Sequence, residues 1–370
     1  MRATRAIIHL DNLQHNIRLV QEQVGRKVKI CIAVKADAYG HGAVEVAQAG
    51  IKSGVFALGV ATVLEGIELR QADIKSPILL YSLPIPEEIP EIVKYDITPL
   101  VADEDFIIAL QELSVLQNKV IGVHIKVDTG MGRIGCQPED THKLARLISE
   151  CSNLKLAGVC THFPAADKKE RSFTLKQIEI LKRVVAQLKE NNINPGIIHA
   201  ANSGAIIDQP EAYFDMVRPG IMLYGYYPSQ EQKRILPLKP VMELITKVVF
   251  IKKVKKGTPV SYGMTYKTGE ETKIATLPLG YADGYNRLLS NKADVLVKNK
   301  RYKICGRVCM DQCMIDIGIK SDIKLYEDVT LFGPNPQGPD GEEIAILLNS
   351  IPYEVTCNIS KRVPRIYLSS

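Results

Sequence analysis

Residues 28–42 read VKICIAVKADAYGHG. An unbroken apolar run, Ile30 to Val34, ends abruptly on Lys35, Asp37, Tyr39 and His41. A strand buried on both faces reads as a continuous apolar run rather than an alternation, which is the mark of parallel sheets. The same signature recurs seven more times: GVFALGV from Gly54, PILLYS from Pro77, ITPLVA from Ile97, VIGVHIKVD from Val120, LKLAGVCTHF from Leu154, IIHAAN from Ile197 and FDMVRPG from Phe214. Helical patterns lie between them, such as DEDFIIALQEL from Asp103, EDTHKLARLISE from Glu139 and the long stretch KKERSFTLKQIEILKRVVAQLKENN from Lys168. Eight strands, each followed by a helix-like segment, predict an α/β fold whose N-terminal part, residues 10–230, is a (β/α)8 barrel of the TIM type. A doubly wound sheet shares the pattern and is the alternative.

The pattern changes after Pro228. From Lys233 onward, β-rich runs alternate with turn signals (KKGTP, NKAD, VKNKR, FGPNPQG) and no long amphipathic helix intervenes. Residues 231–370 are therefore expected to form a mostly-β C-terminal domain. The chain has 370 residues, 46% hydrophobic and 24% charged, with a net charge of +6. That composition is globular, and the charge is too small to argue for nucleic acid. The basic run Lys252, Lys253, Lys255, Lys256 reads as a solvated hairpin end. The opening MRATRAIIHLDN lacks the apolar core of a signal peptide, and no run approaches the ~18 apolar residues of a membrane span. A cytoplasmic enzyme with no membrane partner is expected. Eight cysteines fit that compartment as reduced thiols. Cys305, Cys309 and Cys313 are four apart, but they lie in two strands around a turn with no companion histidine, so no metal is expected.

In a barrel, chemistry gathers where strands end. Strand one ends in Lys35, Asp37, Tyr39 and His41. Strand five runs into Lys126, Asp128 and Arg133, strand six into His162, strand seven into His199, Asn202, Ser203 and Gly204, and strand eight into Arg218 and Gly220. Apolar packing would choose none of these groups. Lys35 at a buried strand end loses hydration, which disfavours its ammonium form and frees the amine for Schiff-base chemistry. An ordinary ion pair with Asp37 explains the same position. The loops after strands seven and eight, with Ser203-Gly204 and Gly220-Ile221, are where barrels bind phosphate; Ser203 as a helix cap is the alternative. Gly130, Gly132 and Gly135 match G-x-G-x-x-G, but Cys136-Gln137-Pro138 follow instead of a helix, and the motif sits at the fifth strand, so a dinucleotide site is rejected.

These residues, with the C-terminal motifs VSYGMTY, LPLGYADGY, GRVCMDQCMIDI and IPYEVTCNISKRVPRIY, resemble the alanine racemases along essentially the whole chain. AVKADAYGHG resembles that family's cofactor-lysine signature, and KVDTGMGRIG, THF, HAANS and VRPGI follow in the family's order. The resemblance implies pyridoxal 5'-phosphate on Lys35, with Tyr39, Ser203, the Gly220 and Ile221 backbones and Tyr353 at its phosphate and Arg218 at its pyridine nitrogen. It implies Tyr262 as a second catalytic base near His162, Arg133 at the cofactor oxygen and substrate carboxylate, and Tyr281, Met310 and Asp311 on the substrate side. It further implies that residues 1–9 join the β domain and that the chain is a homodimer whose Tyr262, Tyr281, Met310 and Asp311 reach the partner's barrel. Lys126 corresponds to a lysine carbamylated in some members; an unmodified Lys126 paired with Asp128 is the alternative.

Racemisation removes the α-proton from one face and returns it on the other, so one base per face suits it. Tyr262 needs nearby positive charge to act as a base, since a free phenol titrates near 10; His162 and Arg218 are the expected sources. Arg218 only donates hydrogen bonds, so a pyridine nitrogen facing it stays unprotonated. The expected activity is interconversion of L- and D-alanine, feeding peptidoglycan in a bacterium. A racemase of broader specificity (serine or others) and a non-catalytic cofactor-binding protein are the alternatives.

Overall fold

The computed structural model describes residues 2–369. The chain opens with strand β1 (Arg5–His9) and helix α1 (Leu10–Val24). The eight expected barrel strands follow: β2 (Lys29–Ala33), β3 (Ala57–Val60), β4 (Ile78–Leu80), β5 (Leu100–Val101), β6 (Ile121–Lys126), β7 (Leu154–Cys160), β8 (Ile197–His199) and β9 (Met216–Val217). All pairings are parallel, in the order β4-β3-β2-β9-β8-β7-β6-β5. The two ends meet where Leu80 N donates to Thr98 O (2.9 Å) and Thr98 N to Ile78 O (2.9 Å). The sheet is thus a closed barrel, not an open doubly wound one.

Alternate strand residues divide between two cores. Ile30, Ile32, Leu58, Ile78 and Leu80 face the helices in the main core. Cys31, Ala57, Leu79, Leu100, Cys160 and Met216 form a separate apolar plug inside the barrel. Large interior side chains stand where a neighbouring strand offers glycine. A Cβ on Gly59 would sit 2.1 Å from the Tyr81 ring, and one on Gly158 would sit 2.4 Å from the His124 ring.

The segments after β2 to β8 include α2 (Lys35–Gly40), α3 (Ala43–Lys52), α4 (Val63–Gln71), α5 (Ile89–Tyr95), α6 (Glu104–Leu116), α7 (Thr141–Glu150), α8 (Ser172–Glu190) and α9 (Ser203–Asp208). The expectation of a helix after every strand fails at the eighth. After β9 there is only a 3-10 turn, Ile221–Tyr224, ended by Gly225 at φ 92°. The N-terminal helix α1 fills the gap, packed on α3, α9 and this turn. Buried Asn16 of α1 fastens it, donating to Leu223 O (2.9 Å) and Lys239 O (2.8 Å) and accepting from Lys239 N (2.9 Å).

The C-terminal region is mostly β. A six-stranded sheet joins β1 to β10 (Met242–Lys247), β15 (Asp294–Val297), β16 (Lys300–Lys303), β18 (Asp328–Phe332) and β19 (Arg365–Leu368). Smaller sheets combine β11 (Phe250–Val254), β14 (Thr272–Leu277) and β17 (Cys313–Asp316), and β12 (Pro259–Val260) with β13 (Tyr266–Lys267). Two short helices, α10 (Gly341–Leu348) and α11 (Pro352–Cys357), were not evident in the sequence. Lys255 and Lys256 are exposed after β11, and Lys253 pairs with Glu271. No helix among the described residues is long and apolar enough to cross a membrane.

Helix α11 and strand β19 press the C-terminal region against α2. The Arg365 guanidinium donates to Gly40 O (3.0 Å) and to the carbonyls of Ile359, Ser360 and Val363. Gly40 lies at φ 82°, where a Cβ would meet Thr356 O at 2.2 Å; Gly25, also at φ 82°, faces open space. Gly25→Ala should cost only the left-handed penalty, about 1–2 kcal/mol. Gly40→Ala should cost about 1–3 kcal/mol more, because a backbone oxygen must move. Urea unfolding of both variants checks this, and equal losses would contradict the contact.

Candidate active site

A cleft of about 610 Å³ opens at the carboxyl ends of the barrel strands. It is lined by Lys35 and Tyr39 after β2, Tyr81 after β4, Lys126 and Arg133 from β6 and its loop, His162 after β7, Asn202, Ser203 and Gly204 after β8, and Arg218 and Gly220 after β9. Tyr353 reaches it from α11. Ile221 is fully buried beside Gly220. Tyr262, Tyr281, Met310 and Asp311 do not line this cleft. Tyr262 is 73% exposed in the C-terminal region, with Met264, Tyr281 and Met310 also exposed there; Asp311 accepts from Arg362 (2.8 Å).

Lys35 begins an unusual turn. Ala36, Asp37, Ala38 and Tyr39 have φ of 52°, 53°, 52° and 55°, so α2 is one turn of left-handed helix. L-residues disfavour this by roughly 1–2 kcal/mol each, and it persists only where its surroundings over-determine it. Those surroundings are identifiable. Ala36 N donates to Glu65 Oε1 (2.7 Å) and Ala38 N to Val34 O (2.8 Å). Asp37 accepts from Ala43 N on its carboxylate (2.8 Å) and from Gly42 N on its carbonyl (2.9 Å). His41 Nδ1–H donates to Ala38 O (3.0 Å) and Tyr39 O (2.9 Å); burial lowers its pKa to about 4, so the ring stays neutral. The turn places Lys35 and Tyr39 in one cleft.

Neither ion pair considered for the lysines forms. Asp37 is engaged with Ala43, and the Asp128 carboxylate accepts from the N–H groups of Gly130, Met131 and Gly132. That contact shapes the G-x-G-x-x-G segment into a tight loop carrying Arg133. Burial, reinforced by Arg133, lowers the pKa of Lys35; Glu65 and Cys357 oppose this. Lys126 is 4% exposed, and burial lowers its pKa to about 8. Among the described residues Lys35, Lys126, Arg133 and Arg218 make no ion pair. Asp167 is the acidic residue lining the cleft. Such a cleft calls for an anionic ligand.

An anion cradle lies on the β8–β9 side. The cap of α9 is Asn202, whose side chain accepts from Ala205 N (3.2 Å), so Ser203 is not the cap. Ser203 Oγ instead accepts from Gly220 N (2.9 Å), which leaves its hydrogen to donate. Gly220 is required because a Cβ there would lie 2.7 Å from Tyr39 Oη. Tyr39 stacks on Tyr224 (centroids 4.8 Å) and lies 5.8 Å from the Tyr353 ring. Burial raises the pKa of Tyr39 and Tyr353, so both phenols keep their donor protons. First-turn N–H groups of Gly204 and Ile221 have no partner within their own turns.

Arg218 occupies the barrel mouth. It donates to Thr161 O (2.6 Å) and Ala200 O (3.0 Å), to His199 Nδ1, and at 3.4 Å to His162 Nδ1. Since arginine cannot accept, His199 carries its proton on Nε2 and donates to His124 Nδ1 (2.7 Å). Burial and the Arg218 charge hold both histidines neutral, His124 at about 3. His162 is likewise held well below its ordinary pKa, first by burial and then by Arg218. Held neutral in this way, His162 does not carry the positive charge expected of it. His124 was missed in the sequence, and His199 was noted without a role. Their signal was positional: His124 and Lys126 alternate on one strand and so share the barrel's inner face.

The model of the "Alanine racemase, N-terminal domain" matches residues 8–228, and that of the "Alanine racemase, C-terminal domain" matches residues 241–367. The chain is 52% identical to alanine racemase of Treponema denticola, over 100% of this chain and 99% of the relative. It superposes on alanine racemase of Clostridium difficile 630 with a TM-score of 0.95, 40% identity, and coverage of 100% of this chain and 96% of that one. Alanine racemase of Bartonella henselae with covalently bound pyridoxal phosphate gives a TM-score of 0.88 at 30% identity, covering 100% of both chains. With both family models matched in order on a barrel and β region of the same architecture, the chain belongs to the alanine racemase family.

Proposed function

We propose that this protein interconverts L- and D-alanine, using pyridoxal phosphate held on Lys35 and a second base, Tyr262, from another copy of the chain. The observation that carries this is the cleft itself. A half-buried lysine amine faces the same space as a donor-rich anion cradle and an arginine, and among the described residues neither cation has an acidic partner. An anionic aldehyde of the cofactor's chemistry fits that arrangement.

When bound, the cofactor supplies an electron sink that acidifies the α-proton of an attached amino acid. The protein's residues do the rest. The Tyr39 and Ser203 hydroxyls, the Ile221 N–H and Tyr353 would hold the phosphate. The N–H of Gly220 is engaged by Ser203, so Gly220 acts mainly by making room for the Tyr39 hydroxyl. Arg218 has its Nε–H and one Nη1–H still to donate toward the pyridine nitrogen. As a donor it would leave that nitrogen unprotonated, and the weaker electron sink would disfavour transamination. Arg133 holds the substrate carboxylate. Lys35 moves the proton on one face of the α-carbon and Tyr262 on the other.

Tyr262 lies in an exposed apolar patch with Met264, Tyr281 and Met310, the kind of surface that marks an interface. This supports a homodimer in which Tyr262, Tyr281, Met310 and Asp311 complete the cleft of the partner, with residues 10–230 carrying Lys35 and the phosphate loops, and residues 231–370 and 1–9 supplying Tyr353 and the second base. His162 accepts from Arg218 on Nδ1, so its Nε2–H is available to the Tyr262 oxygen and would stabilise the phenolate by donation. In a bacterial cytoplasm the activity supplies D-alanine for peptidoglycan. A broader racemase is distinguished by comparing alanine, serine and lysine turnover.

Tyr262→Phe should lose about 10²–10⁴-fold in racemisation while pyridoxal phosphate still attaches to Lys35. Exchange of the α-proton in deuterated water should survive from one enantiomer only; near-normal turnover in both directions would remove Tyr262 from the mechanism.

Lys126 yields a second prediction. Its partly neutral amine can add carbon dioxide, releasing a proton and becoming an anion that orients Arg133. Without that modification, a buried ammonium burdens the fold below pH about 8, and the burden fades as pH rises toward the unfolded value near 10.4. In carbon-dioxide-free buffer Lys126→Met should therefore be more stable than the parent by on the order of 3 kcal/mol near pH 7, with the gain shrinking toward pH 10. Urea unfolding across that range measures it; a loss of stability independent of pH would contradict it.

A further inference from the structure

Glu65 has no part in the mechanism above, yet it touches the residue next to Lys35. It is the third residue of α4 and forms a capping box with Thr62: Thr62 Oγ1 accepts from Glu65 N (3.3 Å), and Glu65 Oε2 accepts from Thr62 N (3.1 Å). An ordinary capping box ends there. Here Oε2 also accepts from Ala61 N (2.7 Å), and Oε1 accepts from Ala36 N (2.7 Å). One carboxylate thus collects three backbone N–H groups from two separate barrel loops. The Ala36 N–H is the first donor of the left-handed turn, and Glu65 is its partner.

We propose that Glu65 is a positioning residue for Lys35. By tying Ala36 N–H to the β3–α4 loop, it fixes the direction in which the left-handed turn leaves β2, and so the placement of the Lys35 amine relative to the Tyr39 hydroxyl. The inference rests on the reading of Lys35 as the cofactor lysine. Glutamine cannot replace Glu65 faithfully, because its amide nitrogen is a donor facing an N–H. The carboxylate also acts on the amine electrostatically. Of the titratable groups near Lys35, Arg133 lowers its pKa, whereas Glu65 from α4 and Cys357 from α11 raise it; the Cys357 thiol is itself pushed up by burial, which leaves Glu65 as the anion.

The test compares the full chain, stripped of cofactor, as wild type, Glu65→Gln and Thr62→Ala. Pyridoxal phosphate affinity is read by fluorescence titration, and attachment to Lys35 by borohydride trapping and peptide mapping as a function of pH. Glu65→Gln should weaken affinity about tenfold or more and move the pH midpoint of attachment downward, since an anion favouring the ammonium form is gone. Thr62→Ala loses the same cap but keeps the Ala36 contact, and should bind within about twofold of wild type. If Glu65→Gln does not fold, Glu65→Asp replaces it. The shorter aspartate side chain keeps the charge but falls short of Ala36, so affinity should drop with little change in the midpoint. Equal behaviour of the Glu65 and Thr62 variants, or unchanged affinity and midpoint in Glu65→Gln, would overturn the positioning role while Lys35 remains labelled in wild type. Cofactor trapped on another residue in wild type would instead overturn the reading of Lys35 on which the proposal stands.

Discussion

Lys35, Lys126, Arg133 and Arg218 share the mouth of one barrel, and among the described residues no ion pair relieves any of them. Charges taken partly out of water without counter-ions are costly unless a ligand offsets the cost or the groups give up their charge. Much of the surrounding structure manages this excess. Burial makes the two lysines easier to deprotonate. The three histidines beside Arg218 are held neutral, so they add hydrogen bonds without adding charge. The backbone donors and phenols of the β8–β9 loops face the same space, which leaves an anion as the natural occupant.

The barrel supplies rigidity for this arrangement by separating its interior into layers. An apolar plug of Cys31, Ala57, Leu79, Leu100, Cys160 and Met216 fills the lower interior, and the polar groups stand above it. Glycines at 59 and 158 make room for Tyr81 and His124. Above the plug, the left-handed turn from Ala36 to Tyr39 is the strained element, and the C-terminal region presses on it through Arg365 and Thr356. Strain of this kind at a functional site is preorganisation: the lysine and the phenol are fixed before the ligand arrives.

The strands were legible because burial on both faces leaves apolar runs that local sequence displays directly, and site residues were legible where polar groups interrupt those runs. What escaped depended on distance or on the absence of local cues. The place of an eighth helix is taken by α1, roughly 200 residues in sequence from the strand it follows in space, and long-range bonds from Asn12 to Pro240, Asn16 to Leu223 and Lys239, and Gln23 to Ile207 help hold it there. Nothing in KADAYG announces a left-handed turn; alanine favours right-handed helix, and the opposite hand is imposed by Glu65, Asp37, His41 and Arg365. The lysine ion pairs that position suggested are absent because Asp37 and Asp128 spend their oxygens on backbone N–H groups. The charge state of His162 depends on its neighbours in three dimensions, so its neutrality could not be read from THF.

In the proposed mechanism one chain presents only one of the two bases to its own cleft: Lys35 lines it, while Tyr262 lies on an exposed face of the C-terminal region. The most direct measurement mixes two inactive variants, Lys35→Ala and Tyr262→Phe, under conditions that allow subunit exchange. If sites form between copies, each hybrid dimer regains one intact site, and racemase activity should return to about a quarter of wild type at equal mixing, as expected for isologous exchange. Activity that stays at the level of the separate variants, with hybrid dimers demonstrably formed, would contradict a site shared between copies.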